Sequence, residues 1–191
     1  MTLELIKRQI QFCKKCSLHL TRNNAVLGEG SNKARIIFIG EAPGKEEDAQ
    51  GRPFVGRSGK ILDNILLKIG IKRGECYITN VVKCRPPDNR KPTKSETRQC
   101  YSYLKYQIET INPEIIVCLG NTAAESLFTK KSVPLRGLLT SQQNRIHLLT
   151  VHPAACLRNS EYLPLLEAHL LRVAEYVKKP RLKSGLDSYI E

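Results

Sequence analysis

ARIIFIGEAPGKEEDAQGRPFVGRSG, residues Ala34 to Gly59, is the stretch that decides how this chain folds. Its first six residues, Ala34 to Ile39, are apolar and rich in β-branched side chains apart from Arg35. A run of that kind, ended by Gly40, predicts a strand buried on both faces in a parallel sheet. The next twenty, Gly40 to Gly59, hold five glycines, two prolines, four carboxylates and one aromatic residue, Phe54. That composition suits a site better than a core, because glycine lets backbone approach a ligand closely. A long loop at a strand's carboxyl end is also where open α/β sheets bind ligands. The loop lacks the Gly-Lys-Ser/Thr ending of a nucleotide-phosphate loop and carries too many carboxylates for one.

Outward from this stretch the pattern alternates. Apolar residues at helical spacing run from Lys60 to Gly70, and Cys76 to Val82 predicts a second strand. Thr93 and Glu96 form a capping-box pattern opening a helix to Ile111, and Glu114 to Leu119 predicts a third strand. Thr122 and Glu125 repeat the capping-box pattern, Arg145 to Val151 predicts a fourth strand pairing with the region of Leu138, and Leu163 to Val177 predicts a closing helix. A helix over residues 3–12 and a short strand near Ala25 to Leu27 precede them. Strands alternating with helices imply an α/β fold with a largely parallel sheet covered on both faces.

Whole-chain quantities narrow the function. The 191 residues make one domain long enough for a sizeable core. Lys and Arg outnumber Asp and Glu 31 to 18, a formal charge of +13, which favours nucleic acid as partner. No apolar run reaches the ~20 residues of a membrane span, and the charged amino terminus is no signal peptide. These features predict a cytoplasmic protein with no membrane partner, associated with the nucleoid if the source is prokaryotic. Seven cysteines in a reducing compartment read as metal ligands or buried thiols. Cys76, Cys118 and Cys156 sit in apolar patterns and read as buried small hydrophobes. Cys13-x2-Cys16, with Cys84 and Cys100, offers four thiolates in a spacing unlike a zinc ribbon and suited to a [4Fe–4S] cluster. Lys14, Lys15, Lys83, Arg85 and Arg90 crowd them and favour the thiolate form.

Three predicted strand ends carry polar groups that an α/β sheet would bring to one edge: Gly40 onward, Asn80, and His152-Pro153. Taken with Gly40-Glu41-Ala42-Pro43-Gly44, Gly51 to Gly56, Thr79 to Pro87, Cys100 and His152-Pro153-Ala154-Ala155, the chain resembles the iron–sulfur uracil-DNA glycosylases, family 4. The resemblance covers nearly the whole chain. It implies a three-layer α/β/α fold around a mainly parallel four-stranded sheet, and hydrolysis of the N-glycosidic bond of deoxyuridine in DNA. It also implies a structural [4Fe–4S] cluster held by Cys13, Cys16, Cys84 and Cys100, with residues 1–33 and 84–100 forming the cluster region and 178–191 a basic tail.

On this reading the reacting nucleotide leaves the stack and enters a pocket. Gly40, Glu41, Ala42, Phe54, Asn80 and His152 bind the base: Phe54 by stacking, Asn80 through uracil O4 and N3–H, amides around Ala42 at O2. His152 donates to O2 as negative charge grows there, and Glu41 faces the attacking water or the sugar cation. In the better-known uracil glycosylases an Asp occupies the position of Ala42, so here Glu41 takes the water-orienting role by elimination. Pro43 and Glu47 shape the pocket near uracil C5. Arg57, Ser58 and Gly59, at a predicted helix start, suit a phosphate; Leu157 and Arg158 fill the gap left by the flipped base; Arg136 and the basic residues from Lys83 to Lys94 track the backbone. His19, His147 and His169 read as surface or packing residues. Uracil-containing DNA, single- or double-stranded, is the expected partner of a monomer, with a sliding clamp as a further possible partner. The alternatives are a non-catalytic nucleic-acid-binding module with a structural metal, or a glycosylase for another deaminated base.

Overall fold

A computed structural model describes residues 2–128, 136–142 and 144–178. Six strands form one sheet: β1 (Glu29–Gly30), β2 (Ile36–Gly40), β3 (Tyr77–Asn80), β4 (Ile115–Leu119), β5 (Leu139–Gln142) and β6 (Arg145–Thr150). Their order is β1-β3-β2-β4-β6-β5. The inner four, β3-β2-β4-β6, are mutually parallel, while the short edges β1 and β5 are antiparallel. The four-stranded expectation thus describes the parallel centre, and two short edge strands extend it. One edge was misplaced: Ala25 to Leu27 form no strand, because their partners are individual groups. Val26 N–H donates to the Lys83 carbonyl, and the Leu27 carbonyl accepts from Thr79 and Gln107 side chains.

Alternation along the central strands makes the layers. Ile36, Phe38, Ile115, Val117 and Leu148 face one way, under α3 (Arg57–Lys68) and α7 (Tyr162–Lys178). Ile37, Ile39, Ile116, Cys118 and Leu149 face the other, under α4 (Lys94–Ile111) and α5 (Asn121–Leu127). Phe38, Ile37 and Ile39 are wholly buried, each such side chain contributing roughly 1.5–3 kcal/mol. α1 (Leu3–Gln11) packs outside this sandwich, setting Ile6 and Ile10 against Tyr103 of α4. Cys76, Cys118 and Cys156 are buried, as expected.

Two helices were not anticipated. α2 (Lys45–Gln50) interrupts the loop after β2, and α6 (Pro153–Cys156) follows β6; both are short and lack an apolar stripe. α3 begins at Arg57, three residues earlier than its apolar pattern. The Thr122–Glu125 capping box does not form: α5 starts at Asn121 with Gly120 as its N-cap, so Thr122 lies inside the helix. Among the described residues no helix is long and apolar enough to cross a membrane. The basic tail beyond Lys178 lies outside the described residues.

Candidate active site

Parallel register brings the strand ends into line. Gly40 pairs with Asn80 across β2 and β3, and Leu119 with Thr150 across β4 and β6. The chain then turns into Glu41, Gly120 and His152 along one edge. A cavity of about 220 Å³ opens there, lined by Glu41, Ala42, Pro43, Gly44, Glu47, Phe54, Ser58, Asn80, Pro86, Asn89, Arg90, His152 and Ala154. The predicted pocket residues are therefore brought together. Gly40 is not itself in the lining but lies against two residues that are: a Cβ there would stand 2.4 Å from Asn80 Oδ1 and 2.6 Å from Phe54 Cζ. Glycine thus lets the amide and the ring close on the same space.

Each polar group has a distinct setting. Asn80 is 2% exposed, and its Oδ1 has no hydrogen-bond partner among the described residues. A buried acceptor left in that state costs about 1–3 kcal/mol, which a ligand donor would recover. His152 caps α6, and its Nδ1 accepts the Ala154 N–H at 3.1 Å. The ring proton is thereby assigned to Nε2. Burial, aided by the charge of Arg158, pushes the His152 pKa down to about 4. The imidazole is neutral at pH 7 and acts as an N–H donor. Its ring stacks on Phe54, with centroids 5.6 Å apart and planes 28° from parallel. Phe54 takes φ +52°, a conformation uncommon for a side-chain-bearing residue. Gly59 permits it, since a Cβ at 59 would lie within 1.9 Å of the Phe54 carbonyl oxygen.

Glu41 receives a hydrogen bond from Thr122 Oγ1 on α5 to its Oε2. The sequence pattern reads Thr122 as a cap. The signal that would have found it is its place just after β4, on the same sheet edge as the other site loops. Glu47 lines the cavity, but its carboxylate is engaged by three backbone amides, those of Gly44, Val55 and Gly56, at 2.8–3.0 Å. It acts as a clasp holding the two arms of the loop. Asp48, 1% exposed, accepts from the Asn23 and Asn24 amides and ties the loop to the chain's amino-terminal region.

The cavity continues into a wider groove of about 680 Å³, which shares Glu41, Ala42, Asn89, His152 and Ala154 with it. Lys91, Arg136 and Arg158 give this groove a cationic wall. Leu157, 46% exposed, stands beside it after α6. Arg136 donates to Asn121 Oδ1, which fixes its reach. Ser58 joins the cavity from the first turn of α3, with Arg57 exposed next to it. Gly59 departs from expectation: it is buried, and packing beneath Phe54 rather than phosphate approach accounts for its being glycine.

A family model described as the uracil DNA glycosylase superfamily matches residues 27–178. A Thermotoga maritima protein named type-4 uracil-DNA glycosylase is 42% identical over 186 residues, covering 93% of this chain and 95% of its own. A Sulfurisphaera tokodaii protein of that name is 41% identical over 191 residues, covering 94% of this chain and 87% of its own. One from Archaeoglobus fulgidus is 53% identical over 127 residues, covering 66% of this chain and 64% of its own. The chain belongs to the uracil-DNA glycosylase superfamily.

In this superfamily member the second cluster of chemistry-bearing residues lies off the sheet. Cys13, Cys16, Cys84 and Cys100 line one recess with Ile10, Lys15, His19, Arg22, Lys83, Gln99 and Tyr103. Burial raises the pKa of Cys16 and Cys84, and brings that of Cys100 up to about 11. Of the basic residues expected to crowd these thiols, Lys15 and Lys83 line the recess, and the Lys83 charge opposes the effect of burial on Cys100. Arg85 donates to Asn89 and Arg90 pairs with Glu96, so both turn elsewhere. Arg22 instead donates to Cys84 Sγ at 3.0 Å. Lys83 is 1% exposed and cannot track a DNA backbone; its ammonium donates to Thr79 Oγ1, the Asn80 carbonyl and Gln107 Oε1. Burial pushes its pKa down to about 8. His19, read as a surface or packing residue, lines the recess and is held by the Cys16 carbonyl. His147 and His169 are buried packing residues, against Phe128 and Thr150.

Among the described residues no three His, Cys, Asp or Glu side chains converge closely enough for a single metal ion. A [4Fe–4S] cluster asks for a wider set, because its four thiolates bind four different irons. Four sulfur donors around one recess, one of them met by an arginine, fit that chemistry.

Proposed function

We propose that this protein is a monofunctional uracil-DNA glycosylase of base-excision repair, hydrolysing the C1′–N1 bond of deoxyuridine to leave an abasic site. The observation that carries the base assignment is the buried, unpartnered Oδ1 of Asn80 at the cavity floor. Uracil presents N3–H to that acceptor and O4 to the amide N–H. Cytosine presents a lone pair at N3 and an amine at C4, so it meets the same amide with both polarities reversed. Phe54 covers the base face, and Gly40 gives the ring room.

As the glycosidic bond breaks, N1 keeps the electron pair and charge spreads to O2. The neutral His152 donates its Nε2–H to O2 without carrying charge of its own, stabilising the leaving base by preorganised hydrogen bonding. Water adds to C1′, and Glu41 takes its proton. With Ala42 beside it, Glu41 is the carboxylate for this task, and it lines both the cavity and the groove. Arg57, Ser58, Arg136 and Arg158 hold phosphates, and Leu157 fills the vacated stack. Cys13, Cys16, Cys84 and Cys100 hold a [4Fe–4S] cluster, which supplies four iron–thiolate bonds and no step of the hydrolysis. The protein acts as a cytoplasmic single-domain monomer on single- or double-stranded DNA.

The deciding measurement is base release from matched oligonucleotides carrying one uracil, cytosine, thymine or deaminated adenine. Uracil release without added metal ion or ATP is expected. Silence on uracil in both strand forms, from protein with its cluster intact, would sink the reading. Preferred release of deaminated adenine would reassign the base.

A further inference from the structure

We propose that Thr122 is a positioning residue for the reaction, fixing the Glu41 carboxylate so that one oxygen faces the attacking water. The inference rests on the uracil-excision reading and adds to it a group on α5 that touches neither base nor sugar. Thr122 is 7% exposed, and its hydroxyl reaches a carboxylate 81 residues earlier in the chain. A threonine in the first turn of a helix ordinarily caps backbone or bonds to the preceding turn. Here Gly120 is the N-cap, with φ +90°, and the Thr122 hydroxyl is free to leave the helix.

A hydroxyl has one hydrogen, so it can fix only one carboxylate oxygen. That oxygen is Oε2, and no other hydrogen bond to the Glu41 side chain occurs among the described residues. Oε1 is therefore the oxygen left for water. Glu41 stands where cavity and groove meet, and Thr122 lines the groove side. A loop glutamate has three rotatable side-chain bonds. Without an anchor it would spend much of its time off the line of attack, and misplacement of a reacting group is costly. Ala42 offers no second carboxylate to share the water, so the orientation of this one matters more.

The test separates rate from binding. Thr122→Val keeps the shape and removes the donor. Single-turnover uracil release should slow by ~10- to 100-fold, the scale of a lost charge-assisted hydrogen bond, while affinity for uracil-containing DNA stays as in the wild type. Thr122→Ser should recover most of the loss. In a Glu41→Ala background Thr122→Val should cost nothing further, since both changes remove one unit. A wild-type rate in Thr122→Val, or an equal slowing with Glu41 already gone, would overturn the proposal alone. Failure of the unaltered protein to release uracil would overturn the reading beneath it. A melting curve on Thr122→Val distinguishes misfolding; if the variant melts early, the Ser/Ala pair at 122 decides on the same criterion.

Discussion

The strand-end pocket and the cysteine recess are both assembled from distant parts of the chain, yet they are held in opposite ways. The pocket stands at the ends of β2, β3 and β6, and its groups are set by neighbours: Glu41 by Thr122 of α5, His152 by the Ala154 amide, Glu47 by three loop amides. The recess uses the end of α1, the turn after it, a loop after β3 and the second turn of α4. No sheet register fixes those pieces. Its sulfurs are met by the Arg22 guanidinium at Cys84 and the Lys15 amide at Cys13, with the backbone of Leu18 and Lys83 at Cys16 and Cys100. One site is made by the fold, whereas the other, on the proposed reading, would be completed by the cluster it holds. They also share a segment: the chain from Cys84 to Cys100 supplies Pro86, Asn89 and Arg90 to the pocket wall. Bracing the recess thus holds one side of the pocket.

The sharpest break of this contrast is at the recess. Cys84→Ala or Cys100→Ala should abolish the broad absorbance near ~400 nm of an iron–sulfur protein and lower the melting temperature. Cys118→Ala, in the core, should keep the colour. Colour that survives both recess substitutions would show that these thiols are not the ligands. In the pocket the fold should survive and chemistry should fail. His152→Ala is expected to slow single-turnover release by roughly 10²–10³-fold, the cost of losing one preorganised donor, with a melting temperature near that of the wild type. A large loss of stability there would mean that the pocket, too, depends on its site residues for structure.

A smaller effect concerns pH. Burial holds the pKa of His147 and His152 down to about 4, and lowers that of His169, from an ordinary 6.5. Between those values the unfolded chain binds more protons than the folded one, so stability rises with pH. It is full above about 6.5 and declines as pH falls toward 4. Glu96, held by Arg90 to about 2, adds a further loss at still lower pH. Thermal melting between pH 4 and 8 should show this slope, and a flat profile would show that these imidazoles are accessible to protons in the folded state.

Much of this was legible in the chain because it depends on local pattern. The run at Ala34 to Ile39 announces a strand buried on both faces, and the capping box at Thr93 and Glu96 forms as the pattern predicts. Where a residue's partner is distant, local pattern misleads. Thr122 has the spacing of a cap and serves a glutamate on another loop. Lys83 reads as a contact to the DNA backbone and is buried, its ammonium donating to the Asn80 carbonyl. Gly59 reads as a phosphate-approach glycine and exists to let Phe54 turn.

The sequence alone determined the alternation of strands and helices, the residues at the strand ends and the cysteines of the recess, because hydrophobic period and spacing are properties of neighbours in the chain. Tertiary structure decided which oxygen of Glu41 is free, which nitrogen of His152 carries the proton and which arginine meets a thiol. Those are matters of distance and angle between groups up to 81 residues apart, and only the packed sheet with its helices sets them.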